Sequence, residues 1–214
     1  MSKYLIAVGG ERLPRRLTQL VVGLILFGVG IGLMLQSGLG VPPWDVLHQG
    51  LATRLGLTVG IWSIIVSAAV LLLWLPLGEP YGLGTLLNAV IIGVVLDLTA
   101  IVIPDANSTP IAWVMLLGGT LLIGVASGLY IGANLGPGPR DGLMTGIAKR
   151  GPSIRLTRAT IEITVLIIGW LLGGTFGVGT VVFALAVGPL VQFFLPRLAV
   201  SPEIRVDPWE HPAR

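Results

Sequence analysis

Two aspartates raise the question of chemistry. Asp45 lies in GVPPWDVLHQGLATR and Asp141 in GPGPRDGLMTGIAKR, each two residues after a proline that itself follows a glycine closely. Proline near a helix start with an acidic residue in the first turn is an N-terminal signature. The pattern predicts a short helix in each segment, with Asp45 and Asp141 near the third helical position. A carboxylate there accepts from free backbone N–H groups and complements the helix dipole, which is a capping role. The other reading has the short helices dip into a bilayer, where irregular backbone survives only beside protein or a water-filled cavity. Asp45 and Asp141 then become cation or proton sites. The sequence leaves both readings open.

The surroundings of the two aspartates differ. Trp44 stands where the second segment has Arg140, and His48 where it has Met144. An asymmetric pair of segments is what a substrate site between two related halves would need. The bland alternatives are an interfacial aromatic for Trp44 and a cytoplasmic topology charge for Arg140. His48 has no partner at metal-ligand spacing, so no metal site is expected. Three further polar residues fall inside apolar stretches: Asp97, Glu162 and Asn88. Ionisable residues within a span are costly and point to function. Against that, Asp97 lies near a span end and could reach headgroups. Glu162 follows Arg158 by four residues, which suits an ion pair on one helix face, and Asn88 could bond a neighbouring helix. No GxxxxGK, HExxH or GxSxG motif is present. No catalytic residue and no cofactor are therefore expected.

The elements that must position these residues are membrane helices. Of the 214 residues, 54% are hydrophobic and 11% charged, far below the roughly 25% charge of soluble domains. A span needs about 20 mainly apolar residues. Six stretches qualify: 18–36, 58–76, 84–103, 111–133, 157–173 and 178–195. None shows the short alternation of barrel strands. The start of the chain lacks the h-region and cleavage site of a cleaved signal peptide. Six spans put both termini on one side with all of the 13 Lys and Arg residues except Arg54, and the excess marks the cytoplasm. The high pI follows from these short basic loops and does not point to nucleic acid.

A shift of 96 residues reveals an internal duplication: residues 28–54 match 124–150 at 12 of 27 positions, including the Gly40/Gly136, Pro43/Pro139 and Asp45/Asp141 pairs. Each copy holds three spans. An odd number makes the second copy enter from the opposite face, as in the inverted repeats of secondary transporters. Gly124, Gly128, Gly132 and Gly136 recur every four residues, a spacing that lets helix backbones approach closely. Packing is the simple role of that stripe; a sliding or gating surface is the other.

The duplicated pattern also resembles a family. Gly38-Leu39-Gly40, Pro43-Trp44-Asp45, Gly50-Leu51-Ala52 and Gly82-Leu83-Gly84-Thr85 have counterparts in the second copy. These are Leu135-Gly136, Pro139-Arg140-Asp141, Gly146-Ile147-Ala148 and Phe176-Gly177-Val178-Gly179-Thr180. Over residues 18–196 this is similar to the YczE/YyaS/YitT group of bacterial membrane proteins, nearest its YczE branch. The resemblance implies a bacterial inner membrane and supplies no catalytic or ligand residues.

The expectation is an all-α membrane protein: six transmembrane helices as two inverted three-helix repeats, each with an additional short broken or re-entrant helix. The divisions are 1–17 as a cytoplasmic N-terminal segment, 18–110 and 111–196 as the two membrane repeats, and 197–214 as a cytoplasmic tail. The expected function is transport of an unidentified small solute across the plasma membrane. Its partners are the bilayer, that solute and, if the chain assembles, further copies of itself. A non-transporting scaffold or regulator, docking through the tail SPEIRVDPWEHPAR, is the alternative. An intramembrane enzyme is disfavoured by the missing catalytic constellation.

Overall fold

The computed structural model describes residues 12–200. The N-terminal residues 1–11 and the tail 201–214, where the docking peptide was expected, lie outside the described residues. Eight helices follow in order: α1 (Leu13–Ser37), α2 (Pro43–Leu55), α3 (Val59–Leu77), α4 (Leu83–Val102), α5 (Thr109–Gly132), α6 (Pro139–Ala148), α7 (Ile154–Leu171) and α8 (Val178–Leu198). The sequence α1 to α4 is repeated as α5 to α8, with α2 and α6 as the two short members.

Five helices are long and apolar enough to cross a membrane: α1, α3, α4, α5 and α8. Helix α7 has the 18 residues, but Arg155, Arg158 and Glu162 keep it out of that set. Large apolar side chains point outward all around the assembly. Leu72, Leu98, Ile101, Val114, Leu171 and Leu185 are each more than half exposed. Water would not tolerate apolar surface this continuous, and acyl chains would. The chain is a helical membrane protein in contact with lipid.

Helix α1 begins at Leu13, ahead of the expected apolar run, because Pro14 suits a first turn and Arg15 and Arg16 extend it as a polar end. Arg16 then donates to the carbonyls of Ala133 at 2.8 Å and Asn134 at 2.6 Å. This ties the start of α1 to the end of α5.

The glycines account for the packing. Gly23 and Gly30 of α1 lie against α5, while Gly28 and Gly32 lie against Val95 and Thr99 of α4. In the second half, Gly124 and Gly128 of α5 lie against Leu190 and Phe194 of α8. The four-residue stripe thus brings α5 close to α8 as its counterpart brings α1 close to α4.

The two breaks dock crosswise. Gly40 has φ 118° and Gly136 φ 119°, values that only glycine adopts without strain. The break after α1 meets the start of α8: Gly179 N–H donates to Leu39 O at 2.8 Å and the Thr180 hydroxyl to Val41 O at 2.9 Å. The break after α5 meets the start of α4 in the same way. Gly84 N–H donates to Leu135 O at 2.7 Å and the Thr85 hydroxyl to Pro137 O at 2.7 Å. Each pair of bonds satisfies carbonyls of the irregular segment between a long helix and a short one. The short helices cross over too: α2 packs on α7 and α6 on α3.

Candidate functional site

Helix α2 starts at Pro43, so Asp45 is its third residue; α6 starts at Pro139, so Arg140 is its second. The two N-terminal turns approach each other. The Arg140 guanidinium lies 3.7 Å from Asp45 Oδ1, 5.3 Å above the Trp44 ring and 3.5 Å from the Ser63 hydroxyl of α3. One turn along α2, His48 Nδ1 lies 3.0 Å from the same Asp45 oxygen. Asp45 is 1% exposed and His48 0%. An ionised carboxylate paired with a guanidinium can only accept, so His48 Nδ1 carries the proton and donates it. Asp45 Oδ2, His48 Nε2 and Trp44 Nε1 are buried without a hydrogen-bond partner.

The expected backbone cap is not how Asp45 is used. Its side-chain neighbours are His48 and Arg140, so the charge is spent across the two halves and not on its own helix end. Asp141 is held separately: the Tyr130 hydroxyl of α5 donates to its Oδ2 at 2.7 Å. Gly138 lies between Asp141 and Asn88. A Cβ there would come within 3.1 Å of Asp141 Oδ2 and 3.2 Å of Asn88 Nδ2.

Residues 14–196 match the model of a family of unknown function designated DUF6198. The chain belongs to this family. An uncharacterized protein of Haemophilus influenzae is 44% identical over 186 residues, covering 86% of this chain and 85% of that protein. The Bacillus subtilis "uncharacterized membrane protein YczE" is 36% identical over 190 residues, covering 87% and 88%. The Bacillus subtilis protein YyaS is 31% identical over 183 residues, covering 82% and 90%. No solved structure matches.

Two of the remaining polar residues in this DUF6198 protein stand apart from the cluster. Asp97 of α4 holds the start of α3: its Oδ1 accepts from Gly60 N–H at 2.8 Å and its Oδ2 from the Thr58 hydroxyl. Asp97→Ala should therefore cost about 0.5–2 kcal/mol, the range for losing a helix cap. Thermal unfolding in detergent checks this. Glu162 accepts from Arg158 at 2.8 Å, the i,i+4 pair its spacing suggests.

Several participants escaped the sequence. Trp74 is fully buried and donates to Pro139 O at 3.0 Å. A Cβ on Gly142 would lie 2.0 Å from its ring, so the indole occupies the space a side chain would take on α6. Buried Glu79 receives both its bonds from Lys149, at 2.8 and 2.9 Å, linking the α3–α4 turn to the end of α6. Tyr130 and Ser63 carried no signal at all; an isolated tyrosine or serine in an apolar run is unremarkable in composition.

Proposed function

We propose that this chain is a small-solute carrier of the bacterial plasma membrane, built as two three-span repeats of opposite orientation. The observation that carries the reading is the meeting of α2 and α6 at a buried, incompletely satisfied polar cluster. Buried polar atoms are nearly always bonded, and ionisable groups inside a membrane protein mark substrate or ion pathways. Broken helices whose N-termini point at a central site are the transporter pattern. The reciprocal docking of the two breaks supports a twofold relation in the membrane plane. In this reading α7 is the sixth span. At 18 residues and about 1.5 Å per residue it nearly matches the hydrocarbon core. Arg155 and Arg158 lie at its start, where long side chains reach the interface.

Catalysis has no part in this proposal: Asp45 and His48 are assigned to binding. Uptake of a solute panel into sealed vesicles containing the purified protein tests the carrier reading. Accumulation of at least one solute above protein-free vesicles is expected. No flux for any member would favour the scaffold alternative.

The same proposal puts both termini in the cytoplasm. Reporter fusions at residues 1 and 214 should both give cytoplasmic signals; a periplasmic signal from either end contradicts six spans.

A further inference from the structure

Helices α4 and α8 correspond at a shift of 95 residues, which places Gly84, Thr85 and Gly93 on Gly179, Thr180 and Gly188. Their packing keeps that register. Val95 of α4 meets Gly28 of α1 as Leu190 of α8 meets Gly124 of α5, and Thr99 meets Gly32 as Phe194 meets Gly128. One face of the pair does not follow. In α4, Gly93 and Asp97 are covered by α3. A Cβ on Gly93 would lie 2.5 Å from Gly60 O and 2.7 Å from Ile64 Cγ1, and Asp97 accepts from Thr58 and Gly60. The matching residues of α8 are Gly188 and Gln192, both exposed. A Cβ on Gly188 would meet nothing within 4 Å. No hydrogen bond joins the Gln192 side chain among the described residues. One turn earlier, Ala89 is buried and its match Ala184 is exposed.

Helix α7, the match of α3, packs on α2 and barely meets α8. It cannot take the place that α3 takes on α4. Helix α3 comes close through Gly60, where a Cβ would collide with Gly93 O. At a shift of 95 or 96 that glycine becomes Arg155 or Leu156. The open face of α8 therefore needs a helix from elsewhere. At 21 residues α8 is about as long as the hydrocarbon core is thick. Gln192 precedes its end at Leu198 by almost two turns, so the amide lies within the core, where an unpaired polar group is costly. Small residues four apart let two backbones close up, and amides bond across membrane helices. A copy of the same face supplies both needs. Glycine meets glycine at a twofold axis, and a carboxamide both donates and accepts, so one Gln192 can bond the other.

We propose that two copies of this chain pair through α8, with Ala184, Gly188 and Gln192 at the contact. The pairing does not rest on the carrier reading and stands or falls apart from it.

The purified full chain in lipid vesicles tests it. Energy transfer between differently labelled copies, followed as the protein is diluted in lipid, should show a dimer. Gly188→Leu keeps the protomer intact, because the new side chain enters open space. It holds the two backbones apart and should raise the dissociation constant by about tenfold or more. Because the chain has no cysteine, single thiols locate the contact. Ala184→Cys should give a disulfide-linked dimer on mild oxidation. Leu72→Cys, on an α3 position that is 67% exposed, should not. A chain that stays monomeric at every dilution overturns the proposal, as does a dimer that Gly188→Leu leaves unchanged. Linkage through Leu72→Cys and not Ala184→Cys places the contact on another face and overturns it too.

Discussion

Arg140→Met is expected to destabilise the folded protein by about 3–5 kcal/mol, because it strands a buried carboxylate. Asp45 is almost wholly enclosed, and Arg140 is the guanidinium beside it. His48 remains as a donor but brings no charge while neutral. The loss should be largely reversed by Asp45→Asn in the same chain, since the amide keeps the shape and removes the stranded charge. Thermal unfolding of the two single variants and the double variant measures the coupling. If the double variant is as unstable as the sum of the singles, the two residues do not form a pair. The result also bears on topology: Arg140 was open to reading as a cytoplasmic topology charge, and such a charge would cost almost nothing to remove.

The second large effect separates two tryptophans that the duplication treats as equivalents. Trp74 and Trp170 are matched by the 96-residue shift, yet Trp74 is fully buried and Trp170 is 58% exposed. Trp74→Ala should cost about 3–5 kcal/mol, the range for emptying a large aromatic site. It also removes the donor to Pro139 O that fixes the start of α6. Trp170→Ala should cost under about 1 kcal/mol, since its ring faces the lipid side. Equal losses would show that both halves seat their tryptophan alike.

Much of the architecture could be read from residue order. The Gly-Pro-Asp breaks located both short helices, because proline and positive-φ glycine constrain the backbone directly. Apolar length placed the long helices, although α7 falls outside the spanning set through its own charges. The Gly28/Gly32 and Gly124/Gly128 spacing foretold close helix packing. The candidate site was legible as a set of residues but not as a structure. Asp45, His48, Trp44 and Arg140 could be named from the mismatch between copies, while the ion pair across the copies depends on tertiary crossing. Asp97 and Asp45 could both be named from the sequence as carboxylates in an apolar chain. Only the fold distinguishes a carboxylate that caps α3 from one with an unpartnered oxygen. Tyr130 was invisible because its value lies in one hydroxyl aimed at Asp141.

The proposed opposed orientation of the two halves can be tested directly because the chain has no cysteine. Gly38 and Asn134 are matched by the repeat shift, both are exposed, and both have positive φ, 67° and 52°. A Cβ on Gly38 would meet nothing within 4 Å, so a thiol has room there, with the strain of a left-handed backbone as its cost. Gly38→Cys and Asn134→Cys, each as the sole cysteine, would be probed in intact cells with a membrane-impermeant maleimide. Gly38→Cys should label from outside, and Asn134→Cys only after the membrane is opened. Labelling of both from the same face would contradict the inverted arrangement.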